Sequence, residues 1–319
     1  MSKANKIWLI TAAALVAIGI LIFGGIMTVL GWDFTKLSIS KFETNSYDIS
    51  EEYKDIRIET ERADIVFLPA KDSKTSVELY EQTNARHSVS VENGALTIKL
   101  DDKRAWYEHI GINFTHPKIT VYMPSGEYGE LSVKSTTGDT EISKDFKFCG
   151  IDLSVTTGDV KILSSSAGNV KIKTVTGDVC IEKAEARDID ISVTTGRISL
   201  SEIHCEDLKF NVVTGRSALD EVICKNLSSG GTTGDVVLKD VIVGEKLCVE
   251  RTTGDVRFEG CDAAEIYVKA TTGSVTGSLL TEKVFIVSTS TGRKEFPATR
   301  GGGKCEITTS TGDVIITLD

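Results

Sequence analysis

Two patterns of hydrophobic and polar positions divide this chain. From Ile7 to Leu30 the residues are almost all apolar and none is charged. As a helix at about 1.5 Å per residue that run reaches about 36 Å, enough to cross roughly 30 Å of hydrocarbon with some tilt. From Leu131 onward, apolar and polar residues alternate in short runs around a recurring Thr-Gly dipeptide. Alternation with a period of two is the signature of a strand. The turn glycines are Gly138, Gly158, Gly177, Gly196, Gly215, Gly234, Gly254, Gly273, Gly292 and Gly312, each 19 or 20 residues from the last.

Aligned on the glycine, the repeats form columns. Two places after it stand Val160, Val179, Ile198, Val236, Val256, Val275 and Val314, with Thr140, Ser217 and Lys294 as exceptions. Four places after it come Ile142, Ile162, Ile181, Leu200, Leu219, Leu238, Phe258, Phe296 and Ile316, broken by Gly277. Five and seven places before it the residues are again apolar, apart from Ser229. Each coil therefore sends one strand into the turn and one out of it. A single coil cannot bury its apolar face, whereas stacked coils can. The expected fold is all-β: a single-stack parallel β-solenoid with coils of 19–20 residues, preceded by one transmembrane α-helix. At about 4.8 Å per coil the regular part makes a rod of roughly 45–50 Å.

The turn has its own chemistry. Glycine supplies a positive φ at no steric cost. The Thr before it is expected to bond backbone at the bend or the Thr of the next coil. After the glycine come Asp139, Asp159, Asp178, Arg197, Arg216, Asp235, Asp255, Ser274, Arg293 and Asp313. Stacking sets Asp178 against Arg197 and Arg216 against Asp235, and the aspartates are expected to hold backbone at the bend. A calcium ladder would need six to eight oxygens per ion, far more than one carboxylate per coil. Ice binding would need a flat double row of Thr, but adjacent pairs such as Thr136-Thr137 should point to opposite sides of a strand.

The organisation read from these patterns is residues 1–6 cytoplasmic, 7–30 a transmembrane signal-anchor, 31–55 a linker, 56–130 a degenerate β cap, and 131–319 the regular solenoid. Lys3 and Lys6 precede the apolar run and Asp33 follows it, so the positive-inside rule places everything after Trp32 outside the membrane. The run is longer than the 7–15 residues of a signal-peptide core. In the cap region Ile56–Thr60 and Ala63–Phe67 look like a coil whose turn has lost its glycine, and Asn93-Gly94 marks a hairpin. Asp101–Pro117 breaks the alternation with Trp106, Tyr107, His109, Phe114 and His116. These five are the candidate binding loop, the alternative being that they fold over the solenoid's open end. The chain stops at Asp319 with no capping helix, so an uncovered C-terminal coil invites self-association.

Composition narrows the function. The formal charge of −10 offers no basic face for nucleic acid. The seven cysteines have no CxxC spacing, which leaves no zinc site and fits a disulfide framework poorly. Most are expected as free thiols filling core or turn positions. No catalytic, cofactor-binding or metal-binding residue stands out.

The segment Ile119-Thr-Val-Tyr-Met-Pro124, leading into Leu131-Ser-Val-Lys-Ser-Thr-Thr-Gly-Asp139 and repeated Thr-Gly-Asp-Val turns, resembles the bacterial β-strand-repeat family of putative adhesins, which includes LiaG-like envelope proteins. The resemblance covers roughly Ile56 to Asp319. It implies an extracytoplasmic protein of the cell envelope, linked to envelope stress, with no enzymatic residues to transfer. The function expected is a non-enzymatic, membrane-anchored protein presenting a rigid solenoid to wall polymer or an envelope protein. A self-assembling scaffold is the alternative, and a polysaccharide-active β-helix enzyme a weaker one.

Overall fold

The computed structural model describes residues 3–33, 41–104, 116–166, 168–299 and 301–319. The uncharged run is one α-helix, Lys3–Val29. Its Asn5–Val29 part is long and apolar enough to cross a membrane.

The period-two segments are strands, and successive coils pair in parallel with each column in register. Strand Phe146–Thr157 lies between Gly126–Thr137 and Asn169–Thr176, so that Leu153 meets Val133 on one side and Ile172 on the other. Past the turn, Val160–Ile162 lies between Thr140–Ile142 and Val179–Glu182. A third parallel row completes each layer, as where Ile203 and Cys205 pair with Val222 and Cys224. The inward columns form one continuous core in which Leu153, Ile172, Ile191, Phe210 and Ile307 are fully buried. Each such side chain contributes about 1.5–3 kcal/mol on leaving water.

Ser229, the polar member of an apolar column, has a local cause. Arg251 is only 5 % exposed, and its Nη2 donates to Ser229 Oγ at 2.7 Å. The guanidinium fills space that Gly231 leaves open, since a Cβ there would come within 2.6 Å of Nη1. Burial lowers the Arg251 pKa to about 10.

All ten turn glycines have positive φ, between 129° and 154°. The Thr before them behaves differently from expectation. Both Thr136 and Thr137 are exposed, as are their counterparts in other coils, because the alternation stops at the corner. The hydroxyls that reach the bend come from three places before the glycine instead. Thr309 Oγ1 donates to Gly273 O at 3.0 Å and Thr289 Oγ1 to Gly312 O at 3.0 Å.

Neither end of the stack follows chain order. At the N-terminal end, the coil Asp55–Arg62 and Asp64–Pro69 packs on the first regular coil, with Ile58 facing Val133 and Phe67 facing Ile142. Ala63 stands at its corner in place of the glycine, and its φ is not positive. The outermost parallel layer comes later in the chain: Ala95–Asp102 and Lys118–Met123. Antiparallel strands then seal it. Ala85–Glu92 pairs with Ala95–Asp102 across the expected Asn93-Gly94 hairpin, whose φ angles are 52° and 75°. Thr75–Gln82 pairs with Lys118–Met123. The stretch read as a linker holds a further strand, Phe42–Ile49, paired with Thr75–Gln82. Its register is fixed by half-buried Phe42, Tyr47 and Ile49, and the Phe42 ring stacks on Tyr80 at 5.2 Å.

At the other end the C-terminal coil is not the uncovered one. Strands Gly303–Thr311 and Val314–Leu318 insert between Val256–Thr272 with Val275–Leu279 on one side and Lys283–Thr291 with Lys294–Glu295 on the other. The outermost layer is therefore Lys283–Glu295. That position explains why Lys294 and Phe296 depart from the burial of their columns: both are exposed, because no strand among the described residues lies beyond them.

Candidate binding surfaces

Three features of the stack place side chains where they could meet a ligand: the turn ladder, the cap cavity and the open end. In the ladder, Asp139 Oδ1 accepts from Asp159 N at 2.8 Å, Asp159 Oδ1 from Asp178 N at 2.8 Å, and Asp178 Oδ1 from Arg197 N at 2.8 Å. Asp64 begins the series by accepting from Asp139 N at 3.0 Å. One oxygen of each carboxylate is thus committed to the next coil. Asp178 meets Arg197 at 3.1 Å and Asp235 meets Arg216 at 3.4 Å, and such exposed pairs contribute about 0.2–1 kcal/mol. Among the described residues no group of three or more His, Cys, Asp or Glu is placed to hold a metal ion. The ladder joins coils.

In the cap, a cavity of about 350 Å³ is lined by Thr60, Arg62, His87, Arg104 and His116 among others. Of the candidate loop residues, exposed His116 is at its rim. Trp106, Tyr107, His109 and Phe114 lie outside the described residues. From the wall inward runs a chain of polar groups that sequence reading missed. Glu81 Oε2 meets His87 Nδ1 at 2.8 Å, and His87 Nε2 meets Thr60 Oγ1 at 2.9 Å. Glu81 also accepts from Asn45 Nδ2 at 2.9 Å and from His87 N at 2.6 Å. Four strands are fastened by this one network. The signal was present: Val77, Leu79 and Glu81 share one face of a strand, so a carboxylate at an inward position needed a buried partner.

Burial alone would raise the Glu81 pKa, but hydrogen bonds from His87 and Asn45 outweigh it and hold the carboxyl below its ordinary range. A depressed carboxyl contributes stability above its unfolded pKa, about 4.3, and loses it as pH falls through the folded value. Glu81→Gln is expected to lower stability near neutrality by about 1–3 kcal/mol, and to flatten the acid limb of the thermal midpoint. Melting curves between about pH 7 and pH 3 test this. Equal acid slopes in parent and variant would remove Glu81 as the cause.

The open end is the outer coil. Strand Lys283–Thr291 pairs with Gly303–Thr311 along one edge, and no strand among the described residues takes the other. Val284 and Ile286 point outward, 43 % and 49 % exposed. From Val284 to Thr291 no residue is charged, and the strand has neither the Pro nor the central Lys with which natural sheets blunt an edge. At its start, Lys283 is buried, with Nζ 2.6 Å from Asp262 Oδ1.

The stack is a parallel solenoid sealed by antiparallel strands at one end and, among the described residues, open at the other. The chain belongs to the Toastrack DUF4097 family, whose profile matches residues 53–216. It is similar in fold to the crystal structure of a putative lipid binding protein from Parabacteroides distasonis, with TM-score 0.51, 14 % identity, and 75 % of this chain and 98 % of that chain covered. It is similar also to a putative adhesin from Parabacteroides merdae, with TM-score 0.51, 13 % identity, and 76 % and 98 % covered. At such identities the likeness shows the fold alone. No protein of curated function matches the sequence.

Proposed function

We propose that the chain is a non-enzymatic binding rod of the cell envelope, anchored by its N-terminal helix with the solenoid outside the membrane. Lys3 and Lys6 before the apolar run and Asp33 after it support that topology. The solenoid fold and the adhesin name of its structural neighbour fit a binding role. The observation that carries the reading is the open end. The chain enters the stack at the sealed cap, so the unpaired Lys283–Thr291 edge is the end far from the anchor. An extended segment of an envelope protein adds to this edge as a further strand, with backbone hydrogen bonds giving affinity and Val284 and Ile286 giving contact.

The test is site-specific photo-crosslinking in intact cells, with the probe at position 286 and a control at Ser192 on the solenoid side. One envelope protein captured at 286 and not at 192, and lost when Val284→Lys is added, is the expected result. Equal capture at both positions would overturn the reading, and capture of wall polymer alone would replace the protein partner by a glycan. A second reading rests on the same edge: two copies pair their outer strands, which would appear as a covalent dimer at 286. Val284→Lys itself is expected to leave the stability within about 0.5 kcal/mol of the parent, because the side chain already faces water.

A further inference from the structure

The seven cysteines are free thiols in the structure, and two of them stack. Cys205 and Cys224 occupy the same register position on neighbouring coils, within a run that also pairs Ile203 with Val222. Both lie on the inward side of the third row, between outward His204 and Glu206 in one coil and outward Ile223 and Lys225 in the next. Neighbouring strands are about 4.8 Å apart, inside the 4.4–6.8 Å range of Cα separations that a disulfide spans. A hydrogen bond with Cys205, ahead of burial, holds the Cys224 thiol above its ordinary range.

Access differs between the two. Cys224 is buried at 4 % exposure. Cys205 is half-buried and lines an open groove of about 640 Å³ with Ala186, Arg187 and His204. One sulfur can therefore be reached from solvent while its partner waits behind it. No other pair of cysteines shares a register position among the described strands.

We propose that Cys205 and Cys224 form a reversible disulfide that clamps two adjacent coils in the middle of the rod. The oxidant is a disulfide of the small-thiol class. The Cys205 thiolate attacks one sulfur of that disulfide and releases the first thiol, giving a mixed disulfide on Cys205. Cys224 then loses its proton to solvent, and its sulfur attacks the Cys205 sulfur and releases the second thiol. In sum the two cysteines lose two protons and two electrons, and the reagent gains both. The bond closes a loop of one whole coil, and cross-linking it restricts the unfolded chain. Placement outside the membrane supplies the oxidising setting in which such a bond persists. The chemistry itself can be tested without that placement.

The experiment treats the full chain, folded in detergent, with oxidised glutathione. It reads the intact mass, the linked peptides after digestion under non-reducing conditions, and the thermal midpoint. Loss of two hydrogen masses, a peptide joining Cys205 to Cys224, and a midpoint raised by several degrees and restored by dithiothreitol are expected. Cys205→Ser should abolish all three, while Cys149→Ser should leave them intact. Persistent glutathione adducts on Cys205 without the internal bond, a bond between other cysteines, or no mass change under native conditions would each overturn the proposal. Failure here leaves the open-edge reading untouched, because the crosslinking at position 286 does not depend on these thiols.

Discussion

Gly177→Ala is expected to melt about 6–12 °C below the parent, the fall that a loss of about 3 kcal/mol gives in a domain of this size. Two costs combine. Gly177 has φ of 146°, a region that L-residues enter only with strain of about 1–3 kcal/mol. A Cβ there would also fall on the carbonyl of Gly158 in the adjoining coil, 2.6 Å from its carbon and closer still to its oxygen. The obstacle is backbone, and the amide of Gly177 is tied on its other side to Thr195 O at 2.9 to 3.0 Å, as is that of Gly158 to Thr176 O. Neither coil can retreat without breaking the ladder. Gly196 stands over Gly177 in the same way, and Gly215 over Gly196, so the requirement passes from turn to turn. Thr176→Ala, one residue away and exposed, is the control and should change stability by no more than about 0.5 kcal/mol. Calorimetry of the two variants beside the parent decides it. A midpoint for Gly177→Ala equal to that of the control would show that the corners can part, and would remove the steric account of the repeat.

That account also shows why the regular coils could be read from the sequence and the ends could not. A column of Val, Ile and Leu at fixed offsets from a glycine states which residues face inward and which residue of the next coil each one meets. Register follows, because one shift would turn every apolar side chain outward. Which coil lies next to which is a different matter. All coils share the same columns, so a coil inserted out of turn carries the same pattern as one in turn. The traces of insertion are small. Lys294 occupies an inward column yet suits water, which fits only an outermost layer. Gly301-Gly302-Gly303 precedes the final coil. A Cβ on Gly302 would strike the backbone of Glu282, and one on Gly303 that of Ala264, so these two pass where side chains have no room. Ala63 tolerates its corner because its φ is ordinary there, and Asp64 still supplies the carboxylate of the ladder. The cap network was legible only as a misplaced charge. Glu81 and His87 sit at inward positions of two antiparallel strands, but their partner Thr60 comes from an earlier coil that pairs in parallel, a meeting that no repeat announces.

Deletion of Gly303–Asp319 is expected to release two layers although it removes one. In chain order the segment is terminal, and its loss would ordinarily fray only an end. In the stack it lies inside, with Cys305 between Ile266 and Phe285 and Ile307 between Val268 and Val287. Cys305, Ile307, Val314 and Ile316 are buried to within 2 % of full cover, and each gives up about 1.5–3 kcal/mol of burial when removed. The outer coil then loses its strand partner. Lys283–Thr291 and Lys294–Glu295 pair with the deleted strands and with no others among the described residues, and the Lys283–Asp262 ion pair holds one end only. In a stack where each layer contacts only its neighbours, a layer without its neighbour has nothing to fold against. Hydrogen exchange on the truncated chain should therefore find Val284–Glu295 unprotected, with weakened protection in Ile266–Ala270 and unchanged protection in Leu153 and Ile172, many coils away. Limited proteolysis should cut between Lys283 and Arg293 in the truncated chain and spare the parent. If Val284–Thr291 instead keeps its protection, it has moved inward onto Val256–Thr272. The outer and inner coils would then be interchangeable, and the order of insertion at this end would not be set by the fit of Gly303–Asp319.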